Sequence, residues 1–423
     1  MTLEPLHRAD IPRPILDVLH RLRELGFAAF LVGGCVRDIL RGVAPKDFDV
    51  ASSALPQEVQ GAFKKVIPTG IQHGTVTVVI GGNHVEVTTF RSEGDYLDGR
   101  RPSSVTFERD ITQDLSRRDF TINAMAYDPV GQVLVDPFGG MEDLQAHLIR
   151  CVRSPLERFS EDGLRPMRAV RFAAVLGFTL EPATREAIPP TLPIFKKVAL
   201  ERVREEFVKL LLSPRAELGL TLLGETGLLE VFLPELAQAG EEAVRLARAA
   251  AQAAPAEVEI RLAALLADLV RGAQARDIAL RLKFPTKAAD TMAVLVEHAF
   301  LERRTGDADP ALRRLLAQVG PALLEPLLAV ARARVEARQR DRLPEVLALQ
   351  ERLRALLAAK PPLTPKELAL SGKDIMATLG IGPSPQVGEA TRFLMEAVFD
   401  APDLNESERL KDLLRTWQAG KGV

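Results

Sequence analysis

The chain has 423 residues, of which 47% are hydrophobic and 26% charged, with a formal net charge of −2. This is the profile of a folded protein of roughly two to four domains. No bulk positive charge announces a polyanionic partner, so a nucleic acid would have to meet a segregated basic face. Cys35 and Cys151 are the only cysteines and lie far apart, which argues against a disulfide scaffold and a zinc site.

The opening segment MTLEPLHRADIPRP carries no apolar run of signal-peptide length. Nowhere is there a stretch of about 18 uncharged apolar residues, so a cytoplasmic protein with no membrane segment is expected. The first structured signal is FAAFLV, a strand ending at Gly33-Gly34 and followed by a helix. A glycine pair at such a turn lets backbone N–H groups approach a phosphate, and Arg37, one turn into the helix, is placed to pair with a phosphate oxygen. A plain strand-to-helix turn has the same pattern.

Next comes Lys46-Asp47-Phe48-Asp49-Val50. On a strand, residues two apart share a face, so Asp47 and Asp49 are expected to project together while Phe48 and Val50 turn to the core. Paired carboxylates repel unless a cation lies between them, and Mg²⁺ held by one or two carboxylates plus phosphate oxygens meets that need. A solvated strand end would also carry such acids. A helix is expected from Pro56 to Lys65, then a hairpin, TVTVVI–GGN–HVEVTTF, with Glu86 on its second strand as a third carboxylate. Such a set suits two-metal phosphoryl transfer. The polar, glycine-containing stretch from Arg91 to Asp114 reads as a functional loop. Arg117, Arg118 and Asp119, ahead of an apolar helix containing Asn123, form a credible sugar-phosphate clamp, or else a helix-terminal ion cluster.

From about residue 155 the pattern is helical almost throughout. Breaks are expected at Pro189-Pro190, Ser213-Pro214, Pro234, Pro255, Pro285, Pro361-Pro362 and Pro383–Pro385. In Glu161-Asp162-Gly163-Leu164-Arg165, Asp162 and Arg165 are three apart and are expected on one face of a helix. Gly163 inside that helix is an oddity, costing about 1 kcal/mol against Ala. Arginines at 331–343 surround a helix and are read as a solvated face, with RNA backbone contact as the alternative.

Together GGCVRD, KDFDV, VEVTTFR, DLSRRDFTINAMAYDP and ERFSEDGLRPMRAVRFAA resemble the class II tRNA nucleotidyltransferases, the CCA-adding enzymes, and their relatives the bacterial poly(A) polymerases. Five motifs stand in the family's order through about residue 220. SGKDIMATLGI and EAVFDAPDLNESERL extend the likeness more loosely to the C-terminus. The resemblance implies an α+β protein: a nucleotidyltransferase head with a mixed sheet (1–150), then an all-helical neck (151–220), body (221–345) and tail (346–423), the last contacting tRNA. It implies Mg²⁺ on Asp47 and Asp49, with Glu86 as the third catalytic carboxylate. Nucleotide contacts fall to Gly33, Gly34, Arg37, Arg117, Arg118, Asp119 and Asn123, and to Glu161, Asp162, Arg165 and Arg168. The partners implied are the tRNA 3′ end, ATP and CTP, with no protein partner.

By that likeness Asp162 and Arg165 act as a protein template for the incoming base. An Asp acceptor matches the exocyclic amino group of cytosine or adenine, and an Arg donor matches the neighbouring ring nitrogen. Uracil and guanine present the reverse pattern and leave both contacts unmet. Glu161 orients Arg165, and Arg168 meets the triphosphate or braces the motif. The Arg91–Asp114 loop favours full CCA addition or A addition alone. An A-adding enzyme, a poly(A) polymerase and a non-catalytic RNA-binding homologue are the rival readings. In IRLAALLADLV, Ala267 precedes Asp268 where some relatives carry a His-Asp pair, so no second hydrolase activity is expected.

Overall fold

The computed structural model describes residues 2–94 and 104–421. Residues 95–103, the centre of the expected functional loop, lie outside the described residues; its flanks, β6 and β7 below, pair as a short antiparallel ribbon. The chain divides into two compact units, one ending at Ala237 and one running from Gln238.

The first unit is built on a seven-stranded mixed sheet. In chain order the strands are β1 (Ala29–Val32), β2 (Asp49–Ser52), β3 (Val66–Gly70), β4 (Thr75–Ile80), β5 (Asn83–Thr89), β6 (Arg91–Glu93), β7 (Val105–Phe107), β8 (Ala126–Asp128) and β9 (Val133–Val135), followed by β10 (Leu148–Ile149) and β11 (Thr179–Leu180), which pair with each other in parallel. Their order across the large sheet is β3-β4-β5-β2-β1-β8-β9, with β6 and β7 apart from it. All neighbours in the large sheet run antiparallel except β2 and β5, which are parallel. The expected hairpin is β4–β5, closed at Ile80↔Asn83 by Gly81 and Gly82. Both glycines have positive φ, as a two-residue hairpin turn matching the strand twist requires.

Alternation along β5 buries Val85 and Val87 while Glu86 faces out, and the Arg13–Glu24 helix packs on β1, β2 and β5 through fully buried Val18, Leu19 and Leu22. Helix Pro56–Ala62 is shorter than the expected 56–65, because Phe63 is already extended. After the sheet the unit becomes helical, with Pro155–Glu161, Arg165–Leu176 and Leu200–Leu211 nearest the site.

Among its described residues the second unit is helical throughout. Its longest helices are Leu324–Arg338, Leu343–Ala358, Pro385–Asp400 and Ser407–Lys421. In the chain as a whole Pro189, Pro234 and Pro385 stand in the first turn of helices, as expected of a residue without an N–H to lose, whereas Pro193 lies inside the Ile188–Phe195 helix. Among the described residues no single helix is long and apolar enough to cross a membrane.

Candidate active site

The register Val32↔Asp49 sets the start of β2 beside the end of β1, where Gly33 turns the chain into the Gly34–Leu40 helix. Gly33 has φ +76°, and a Cβ there would stand 2.9 Å from Arg118 Nη1 and 4.0 Å from Asp49 Oδ2. A side chain at this turn would press on the end of Arg118 and only touch Asp49, and its backbone would be strained.

The strand begins only at Asp49; Asp47 lies two residues ahead of it, outside the strand, and Phe48 is half-buried rather than in the core. The pairing with β1 ends at Val32↔Asp49, because the chain leaves the sheet at Gly33, so β1 does not extend to Asp47. Both carboxylates are nevertheless exposed and near enough to interact. Partial burial raises the Asp49 pKa above its ordinary value, Arg118 opposes that, and the charge of Asp47 raises it further. The pairing Val50↔Val87 sets Glu86, one step back on β5, level with Asp49 on the same face. Among the described residues no three His, Cys, Asp or Glu side chains gather as a ligand set. Two mutually repelling carboxylates fit a hard divalent cation whose shell is completed by phosphate oxygens and water.

A cleft of about 500 Å³ adjoins Asp49. Gly33, Gly34, Arg37, Arg117, Arg118, Asp119, Asn123, Asp162, Arg165 and Arg168 all line it, along with Phe172 and Arg202. Asp47, Glu86 and Glu161 do not. Each arginine is held by a carboxylate. Arg37 forms a fork with Asp38 at 2.9 Å and donates to Asn123 Oδ1 at 2.7 Å. Arg117 and Arg118 share Asp114, at 2.8 and 3.2 Å. Asp114 is 1% exposed; burial pushes its pKa up, but the two arginines more than offset this and leave it lowered.

Asp119 receives Arg168 at 2.8 and 2.5 Å, Asn123 Nδ2 at 3.3 Å and the Phe120 N–H at 2.8 Å. Burial raises its pKa, but Arg168 above all, with Arg165 and Asn123, brings it down to about 2. That value lies below the unfolded one near 4, so the pair's contribution to stability is fully present above about pH 4 and is lost as the pH falls through about 2. In urea titrations the stability gap between wild type and Asp119→Asn is expected to narrow across that window; a constant gap would contradict the assignment.

The Glu161–Arg165 segment is not one helix. Pro155–Glu161 ends there, Asp162 is extended at φ −130° and ψ 108°, and a new helix starts at Arg165. A helix cannot run through this point because Pro166 has no N–H for the Asp162 carbonyl, and glycine is needed here because a Cβ on Gly163 would stand 2.9 Å from the Ile194 carbonyl oxygen and 3.0 Å from Val198. Gly163 is therefore no helix-interior oddity but the point where two backbones meet. The break turns the Asp162 carboxylate into the cleft, where it accepts the Leu164 N–H at 3.0 Å and Arg202 Nη2 at 2.9 Å. Arg165 donates to Glu161, to the Arg158 carbonyl at 3.0 Å and to the Arg117 carbonyl at 3.1 Å. Arg158 reaches the Ser116 carbonyl at 3.2 Å. These bonds tie the two helices on either side of Gly163 to the 116–117 backbone.

Sequence reasoning missed Asp114 and Arg202. Asp114 had a local signal, standing three and four residues before the two arginines it holds; Arg202, forty positions from Asp162, had none. Arg118 Nε and Arg202 Nη1 are buried without a hydrogen-bond partner in the structure and adjoin the cleft.

Residues 29–150 match the family model described as the poly A polymerase head domain, and 177–239 the one described as a probable RNA and SrmB-binding site of polymerase A. The CCA-adding enzyme of Geobacillus stearothermophilus is 40% identical over 93% of this chain and 94% of its own length. That of Geobacillus thermodenitrificans is 41% identical at the same coverage. The crystal structure of the Bacillus stearothermophilus CCA-adding enzyme in complex with CTP superposes with a TM-score of 0.80 at 36% identity, covering 98% of this chain and all of that one. The glycine turn, the paired aspartates, the arginine clamp and near end-to-end identity of this order place the chain in the CCA-adding enzyme family of tRNA nucleotidyltransferases.

Proposed function

We propose that this chain adds CMP, CMP and AMP in turn to the 3′ end of tRNA, using CTP and ATP and releasing pyrophosphate, with no nucleic-acid template. The observation that supports this best is that one cleft joins the Asp49 end of β2, a set of arginines suited to a triphosphate, and the Asp162–Arg165 pair. The whole-length identity to CCA-adding enzymes supports the same reaction. A tRNA substrate implies a cytoplasmic setting. The head, neck, body and tail divisions at 150, 220 and 345 belong to this reading.

We assign Mg²⁺ to Asp47 and Asp49, with Glu86 completing the carboxylate face. The chemistry such a cation supplies is activation of the 3′-hydroxyl and neutralisation of the leaving pyrophosphate. Arg37, Arg117 and Arg118 orient the triphosphate, and Asp119 with Asn123 meets the ribose and keeps Arg168 in place. Gly33 and Gly34 leave room for the phosphates. Asp162 accepts from the exocyclic amino group of cytosine or adenine, Arg165 addresses the ring nitrogen, and Glu161 fixes Arg165. A carboxylate oxygen has lone pairs for more than one donor, so Asp162 can keep Arg202 while receiving the base.

Two tRNA transcripts test the reaction, one ending at the discriminator base and one already ending in CC. Both are expected to be completed with CTP and ATP together, and only the second with ATP alone. Failure to extend the first would mark an A-adding enzyme, and runs beyond one A would mark a poly(A) polymerase.

A further inference from the structure

The second unit has its own concavity, about 640 Å³, and its lining is strongly polar. Arg334, 3% exposed, lies at its floor. Its guanidinium pairs with Asp268 at 3.0 Å and with both oxygens of Glu302 at 2.8 and 3.0 Å, and it stands 4.0 Å from the centre of the Phe300 ring. Arg338 shares Asp268 at 2.8 Å, and Arg342 donates to the Glu302 carbonyl at 2.8 Å. A buried ion network gains little over well-packed apolar side chains of the same volume, so stability alone does not account for one at the floor of an open cavity.

The mouth adds to the positive charge. Arg271 and Arg303 line it, both exposed, and among the described residues neither has a carboxylate in ion-pair reach. Five guanidinium groups thus line the cavity with two carboxylates, and Arg342 is also paired with Glu345 at 3.1 Å, which leaves an excess of two positive charges in a chain whose net charge is −2. Concave walls focus such a field, and guanidinium forks match phosphate oxygens. The volume is that of a small-ligand site. A backbone phosphate of folded RNA, flanked by its neighbours, reaches a rim more readily than a floor.

We propose that this cavity binds a compact polyphosphate, either free pyrophosphate or the triphosphate of a nucleotide, at a site separate from the catalytic cleft. The inference rests on the proposed reaction only for the origin of its ligand, which that reaction consumes or releases. Binding needs no turnover, so it can fail without the reaction failing.

Equilibrium dialysis of the full chain with labelled pyrophosphate, and separately with ATP, tests it. A second equivalent per chain is expected beyond that held in the catalytic cleft. The Arg271→Glu/Arg303→Glu variant is expected to lose that equivalent, keep the first, and still extend tRNA. Arg334→Met removes the floor as an independent check, with its melting curve recorded. Binding of pyrophosphate without ATP identifies the free anion, and binding of ATP without pyrophosphate the nucleotide. A single equivalent in the wild type, or a second one retained after charge reversal, overturns the proposal. So does tRNA binding about tenfold weaker in filter assays with the dialysis result unchanged, which would assign the cavity to RNA backbone.

Discussion

Replacing Asp49 by alanine is expected to lower nucleotide incorporation by more than about a thousandfold, beyond the loss typical of one transition-state hydrogen bond. The position supports so large an effect. Asp49 is the first residue of β2, registered against Val32 and therefore fixed beside the glycine turn, while its neighbour Val50 is 1% exposed and anchors the strand in the core. The carboxylate itself is exposed, so its loss opens no cavity. Asp47→Ala is expected to be as damaging to incorporation, although its backbone lies outside the strand. Asp49→Asn separates chemistry from folding. A carboxyl whose folded pKa is raised destabilises the folded state once the pH exceeds its unfolded pKa. At neutral pH the asparagine variant should therefore melt no lower than wild type when divalent ions are absent, and incorporate nothing when Mg²⁺ is supplied. Substantial incorporation by either alanine variant would remove these residues from the metal.

The second large effect is on base choice. Asp162→Ala is expected to reduce the preference for CTP over UTP by about ten- to a hundredfold, the range of one good polar match between side chain and base. Asp162 is the better probe of the pair, because Arg165 is 8% exposed and bonded to Glu161 and to two backbone carbonyls. Removing Arg165 would take away one of the two arginines on Glu161, Arg158 being the other, and with it the bond to the Arg117 carbonyl, so it would disturb the clamp as well as the base. Single-nucleotide extension of the tRNA lacking CCA, with kcat and KM measured for each nucleotide, reads the ratio directly. A ratio equal to that of wild type would end the template role.

The sheet was readable because its signals are local: alternation along HVEVTTF, two glycines between two β-branched runs, and prolines that punctuate the helical part. The paired aspartates were read from spacing alone, although spacing did not reveal that only one of them belongs to the strand. Chemistry needs both carboxylates at one place, and a strand end meets that as well as a strand. The break at Asp162 was misread although Pro166 announced it, since a proline near a helix start excludes a continuous helix through Arg165. Periodicity masked that signal, because three-residue spacing looks the same across a break. Arg202 and the crowding that explains Gly163 depend on contacts with 188–202, which only the folded chain brings together.

The six arginines that line the catalytic cleft meet Asp38, Asp114, Glu161, Asp119 and Asp162 before any substrate arrives. Such a cleft offers direction more than net attraction. A triphosphate gains well-aimed donors without falling into a deep electrostatic well, and pyrophosphate can leave once its bond to the nucleotide is cut. An enzyme that must change from one nucleotide to the next within a few additions has more use for quick release than for a tight grip.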